Sequence, residues 1–153
     1  MLKKMMMFCV LSFCSLVVSA ADSYSPFGIA VGKSTNMKLG QPVDGLYRVN
    51  PPNPDPLFNE YYVSLYNNKV SKLYAKGIVT KQFTNCEYYA HKFAKRFVSN
   101  NRSLESNKVD TNFILSERNK NTQNIHGSVN CAGRNISFEL YSDAVMKELT
   151  QSQ

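Results

Sequence analysis

Residues 60–75 read Glu-Tyr-Tyr-Val-Ser-Leu-Tyr-Asn-Asn-Lys-Val-Ser-Lys-Leu-Tyr-Ala. Two runs of β-branched and aromatic residues flank Asn67-Asn68-Lys69, which is the pattern of a β-hairpin. A two-residue loop sets Val63 opposite Lys72 and mixes apolar with charged side chains. A three-residue loop instead pairs Tyr66 with Val70, Ser64 with Lys72 and Val63 with Leu73. Tyr61, Val63, Leu65, Leu73 and Ala75 then share an apolar face, while Tyr62, Ser64, Tyr66, Lys72 and Tyr74 share the other. Asn68 or Lys69 takes the left-handed conformation that the loop requires.

Downstream, Thr84-Asn-Cys-Glu87 fits a capping box, with Thr84 as the cap. Cys86, Tyr89, Ala90, Phe93 and Phe97 follow at helical spacing, and Asn100-Asn101 ends the helix. Three strands are expected after it. Val109–Glu117 alternates through Val109, Thr111, Phe113 and Leu115. Thr122–Cys131 puts Ile125, Gly127, Val129 and Cys131 on one face and Asn124, His126, Ser128 and Asn130 on the other. Asn135–Tyr141 turns Ile136, Phe138 and Leu140 inward. Asn119–Asn121 and Ala132-Gly133-Arg134 are the turns between them, and Ser142 caps a short helix to about Leu149.

Upstream, Ser25-Pro-Phe-Gly-Ile-Ala-Val-Gly-Lys-Ser-Thr35 ends like a phosphate-binding loop. Such a loop needs four residues between its glycines and a long helix after it. Here Gly28 and Gly32 enclose only Ile29, Ala30 and Val31, and no long helix pattern follows, so a nucleotide site is excluded. Phe27, Ile29 and Val31 alternate instead as a first strand. Residues 32–58 read as irregular, and Pro51-Pro52-Asn53-Pro54-Asp55-Pro56 is a rigid lead-in to the hairpin rather than a polyproline ligand. The whole is an α+β fold: an antiparallel sheet of five or six strands, one main packed helix and a short C-terminal helix, in the order β-ββ-α-βββ-α.

Lys3 and Lys4, the apolar run Met5–Val18 and small residues before Ala21 make residues 1–20 a signal peptide. Residues 21–153 are then a single domain, with no transmembrane segment left after cleavage. Removing the signal takes away Cys9 and Cys14. It leaves Cys86 and Cys131 as one pair in an oxidising compartment, hence a disulfide. Cys86 lies on the apolar stripe of the helix and Cys131 on the apolar face of its strand, so both sulfurs aim at one interior. Losing Lys3 and Lys4 lowers the formal charge from +7 to about +5. That balance suits an anionic partner, but no Lys/Arg block marks a specific nucleic-acid site.

The spacings Cys86-x4-His91 and His126-x4-Cys131 resemble zinc ligand pairs. Five residues of helix is about 500°, which turns Cys86 and His91 roughly 140° apart. Five residues of strand put His126 and Cys131 on opposite faces, so no metal site is expected. No cofactor is expected either. His91 and His126, with Lys92, are the residues for acid–base hydrolysis of the ribonuclease type, yet strand and helix parity places them on different sides of the sheet. No catalytic residue is therefore assigned. Tyr62, Tyr66 and Tyr74 beside Lys72 form the candidate partner-binding face, unless residues 32–58 cover them. Lys92, Lys95, Arg96 and Arg102 form a candidate anion-binding set.

Phe27-Gly28-Ile29 with Gly32, Tyr47-Arg48-Val49, Pro51-Pro52 with Pro54, Phe58, Tyr62-Val63 and the Val70–Ala75 strand ending near Gly77 carry a resemblance. Over roughly residues 26–80 the chain is similar to a loose group of small, uncharacterised exported bacterial proteins. The pattern fades after Cys86, and the small helix that often follows the opening segment in that group is shortened here. The resemblance implies a Gram-negative periplasmic setting and an α+β fold, and it brings no catalytic residues. Together these readings describe a periplasmic, non-enzymatic protein that binds another protein of the envelope, in its concrete form an immunity or inhibitor protein against a toxin or hydrolase. The alternatives are a small secreted hydrolase and an envelope component that binds anionic glycan.

Overall fold

The computed structural model describes residues 24–80, 85–101, 103–117 and 124–151. Its strands are β1 (Tyr47–Val49), β2 (Glu60–Tyr66), β3 (Lys69–Ile78), β4 (Leu104–Val109), β5 (Asn112–Glu117), β6 (Ile125–Ala132) and β7 (Asn135–Ser142). They form one antiparallel seven-stranded sheet in the order β1-β2-β3-β7-β6-β5-β4. Helix α1 (Cys86–Asn100) lies between β3 and β4 in the chain, and α2 (Asp143–Gln151) follows β7. The α+β architecture with one main helix stands, with seven strands instead of five or six. The expected signal segment, the Thr84 cap, Arg102, the Asn119–Asn121 turn and Thr122 fall outside the described residues.

The β2–β3 hairpin has the expected body and a different tip. Val63 pairs with Leu73 and Ser64 with Lys72, but Tyr66 pairs with Lys69 rather than Val70. The loop is two residues, Asn67 and Asn68, with φ of 47° and 60°. Left-handed backbone at both positions suits the twist of the strands. The face mixing that a two-residue loop threatened is cancelled by a bulge. The register shifts between Ser64 and Leu65, so Ser71 is the extra residue. Tyr61, Val63, Val70, Leu73 and Ala75 are accordingly buried.

Other expectations change. Val109–Glu117 is not one strand: the chain reverses at Asp110, whose φ is 54°, and β4 returns antiparallel to β5. Of β4 only Leu104 is buried, so this edge strand lacks the apolar alternation that announces a strand. Phe27, Ile29 and Val31 are buried as their alternation implies, but they form no strand. Pro26–Gly28 is a single 3-10 turn in which Phe27 adopts a φ of 59°. Segment 32–34 instead bonds to the start of β3, with Gly32 N–H donating to Val70 O at 2.8 Å and Val70 N–H to Lys33 O at 2.9 Å. The short β1 emerges from the stretch read as irregular. Finally, Asn85 caps α1 by accepting from Tyr88 N–H at 3.1 Å, and Ser142 ends β7 as α2 begins at Asp143.

The inner face of the sheet is covered by two pieces. Helix α1 turns Cys86, Ala90, Phe93, Ala94 and Phe97 into the core and lies over β4, β5, β6 and β7. The N-terminal segment supplies Phe27 and Phe58, with Met37, Leu39 and Leu57 packed against the core beside them. The proline-rich stretch is held rigidly, as a lead-in should be. Asn53 N–H donates to Phe27 O at 3.0 Å, and Asp55 N–H donates to the Tyr61 hydroxyl at 2.8 Å. At Gly77 this layer approaches so closely that a β-carbon would overlap the Leu57 carbonyl oxygen. Cys86 and Cys131 lie at disulfide distance with Cα atoms 5.9 Å apart, tying the start of α1 to the end of β6.

Replacing both cysteines with serine removes a cross-link spanning 45 residues. By chain entropy this costs about 4 kcal/mol, to be read as a lower urea midpoint relative to the oxidised protein. Gly77→Ala forces the Leu57 backbone away from β3, and about 1–3 kcal/mol of destabilisation is expected in the same assay.

Candidate functional site

Alternation along seven paired strands gives the sheet a second, outer face. Arg48, Tyr62, Tyr74, Glu139, Ser128, Ile114 and Asn107 form one row across it, strand by strand. Ser64, Lys72, Tyr141, His126, Ser116 and Glu105 form the row on one side. Glu60, Lys76, Ser137 and Asn130 form the row on the other. Both covering pieces pack on the inner face; the outer face is bordered at one side, where the Ser64 hydroxyl donates to Gly45 O at 3.0 Å and Asp143 of α2 reaches His126. Tyr62, Tyr74, Ser128 and Tyr141 all keep solvent exposure.

The rings at the centre are fixed by their neighbours. Tyr62 and Tyr74 are cross-strand partners with centroids 6.1 Å apart. Lys76 lies 3.1 Å from Glu60 and 5.6 Å above the Tyr62 ring. Lys72 lies 3.1 Å from Glu139 and 5.9 Å above the Tyr74 ring. The Tyr62 hydroxyl donates to the Glu60 carboxylate. Exposed ion pairs of this kind add little stability, but they cancel charge and hold two aromatic faces in place.

The same contacts shift three ionisations. The Tyr62 hydroxyl, and after it the Lys76 ammonium, hold the Glu60 carboxyl below the ordinary glutamate range. Glu60 in turn raises the Tyr62 hydroxyl and the Lys76 ammonium above their ordinary values. A lowered carboxyl value contributes above the unfolded value and is lost as pH falls through the folded one. Raised Tyr and Lys values contribute below their unfolded values and are lost as pH rises through the folded ones. The cluster therefore persists through neutral pH and loosens at both extremes.

Of the expected site residues, Tyr62, Lys72 and Tyr74 come together on this face. Tyr66 shares its parity but sits at the hairpin tip opposite Lys69. Glu60, Lys76 and Glu139 complete the cluster and were missed. Glu60 and Lys76 are one step further along the alternation already read, whereas Glu139 required the β3–β7 pairing, which no local pattern reveals. Lys92 and Lys95 are exposed on α1, and Arg96 pairs with Asp55, so these three cations lie on the opposite side of the sheet; Arg102 is outside the described residues. His91 stacks on Phe113 of the inner face, centroids 5.3 Å apart. His126 belongs to the outer face and lies 2.6 Å from Asp143. The sheet stands between the two imidazoles, so they cannot serve one substrate bond together.

Among the described residues no helix is long and apolar enough to cross a membrane. Comparison with protein-family models, curated proteins and solved structures finds no match to this chain.

A carboxyl-detected NMR titration should place the Glu60 midpoint below the ordinary glutamate value. Tyr62→Phe, which removes the hydroxyl that donates to the Glu60 carboxylate, should move that midpoint upward.

Proposed function

We propose that this chain is an exported, disulfide-stapled binding protein of the periplasm that acts without catalysis. It docks its Tyr62–Tyr74 face on another protein, most concretely as an immunity or inhibitor protein that caps a toxin or hydrolase. The observation that carries the reading is a sheet face that α1 and the N-terminal aromatic segment leave open, with two part-exposed tyrosine rings held on β2 and β3 by Lys72, Lys76, Glu60 and Glu139. Tyrosine supplies large, stiff contact area with a polar tip, and it is ordered here before any partner arrives, which lowers the entropic cost of binding. Because Lys72 and Lys76 are already paired, the interface is nearly neutral and its affinity should respond little to salt.

A second reading, binding of anionic glycan, rests on Lys92 and Lys95, which are exposed along α1. The ribonuclease-like alternative gains no support from two histidines on opposite sides of the sheet.

The test is capture of a partner from periplasmic extract, with affinities measured on the purified pair. Tyr62→Ala and Tyr74→Ala should each weaken binding by about 10-fold or more, with little change as salt rises across about 50–500 mM. Addition of the protein should inhibit the partner's activity. Binding that survives both tyrosine substitutions, yet falls with salt and with Lys92→Ala/Lys95→Ala, would sink the docking reading in favour of the glycan one.

A further inference from the structure

At one end of the outer face lies a groove of about 320 Å³. Its apolar part is lined by the Tyr74 ring and Ile78, its polar part by Asn59, Asn130, Asn135 and Ser137. The size falls at the lower end of the ~300–1,000 Å³ typical of small-ligand sites. Two charged groups reach it, Glu60 and Lys76, and they neutralise each other at 3.1 Å. Around them is unspent hydrogen-bonding capacity. The Asn59 and Asn135 amides and the Ser137 hydroxyl engage no protein group among the described residues. Asn130 donates to the Ser128 hydroxyl at 2.9 Å and keeps its carbonyl oxygen available.

We propose that this groove binds one unit of a neutral saccharide. A carboxylate or phosphate ligand would meet Glu60, and a cationic one would meet Lys76, while neither residue is free to act as counter-ion. A purely apolar ligand would bury the three amides without partners, which costs about 1–3 kcal/mol for each unsatisfied group. A sugar ring matches what remains. Its C–H face packs on the electron-rich face of Tyr74. Its hydroxyls both donate and accept, which is the pattern that an asparagine amide, carrying a donor and an acceptor side by side, complements. The groove is open to solvent, so the affinity is that of a surface site, on the order of 1 mM. The site acts in the isolated protein and needs no protein partner, although it shares Tyr74, Glu60 and Lys76 with the docking face proposed above.

The probes are maltotriose and chitotriose, titrated into the purified, oxidised, isotope-labelled chain and followed by NMR. Saturable shifts are expected at the side-chain amides of Asn59, Asn130 and Asn135 with at least one of the two sugars. Tyr74→Ala should weaken them at least 10-fold. Ser137→Arg, which fills the groove from a half-buried position on the outer face, should abolish them, and it keeps the test decisive if Tyr74→Ala fails to fold. Three results overturn the proposal: no shift with either sugar at tens of millimolar, shifts that persist unchanged in both variants, or shifts produced only by a heparin fragment. Tyr62→Ala separates the two readings. If it abolishes partner capture and leaves the sugar shifts intact, the two activities are separable despite the shared Tyr74; absence of sugar shifts in the parent chain, with partner capture retained, removes the saccharide and leaves the docking face untouched.

Discussion

The Phe138 ring, fully buried on β7, is met by Phe27 and Phe58 of the N-terminal segment at 5.6 and 6.4 Å. Phe93 and Phe97 of α1 reach it at 5.2 and 5.3 Å. One fifteen-residue helix is too narrow to cover a seven-stranded sheet, so an irregular segment must cover the rest, and the two covers need a common seam. Phe138 is that seam. Burial of each phenyl ring is worth about 1.5–3 kcal/mol, and edge-to-face contacts add about 0.5–1.5 kcal/mol. The left-handed backbone of Phe27, at a φ of 59°, is uncommon for a bulky residue. It persists because the ring it delivers touches Phe58, Tyr61, Phe93 and Phe138.

This use of both covers on one face decides the character of the other. The outer face is not bare apolar surface, which would invite aggregation. Each lysine near its centre has a carboxylate partner and an aromatic ring. On the helix side Lys92 and Lys95 are exposed to solvent. The protein thus presents one neutral, aromatic, pre-ordered surface and one basic, mobile-side-chain surface, and different solution conditions address them separately. Salt acts on the second, while extremes of pH act on the first through Glu60, Tyr62 and Lys76.

The sequence made the parity of the central strands readable, because a buried face enforces a period of two wherever both flanking strands are present. Val63, Leu73, Val129 and Phe138 are all fully buried, and all were assignable from alternation. Edges were not readable: β4 buries one residue and β1 spans three, so neither carries a period. The hairpin tip shows a different difficulty. A two-residue turn plus a bulge and a three-residue turn without one give the same register beyond Ser64 and Lys72, so face matching alone cannot choose between them. Two successive asparagines, each tolerant of positive φ, are the residues that decide it. Of the outer face, Tyr62, Lys72 and Tyr74 were legible from one hairpin, but Glu139 depended on a partner strand far along the chain.

That distant partnership also governs how the chain reaches its native state. The unit β1-β2-β3 joins β7-β6-β5-β4 through the pairing of β3 with β7, and Phe138 lies on β7. A chain emerging from its N-terminus therefore holds a hairpin with an unpaired edge and the loose aromatics Phe27 and Phe58 until its final strand arrives. Non-local closure of this sort is slow. One strand thus carries two closures at once: Asn135–Ser142 supplies both the ladder that joins the two parts of the sheet and the ring on which the two covers meet.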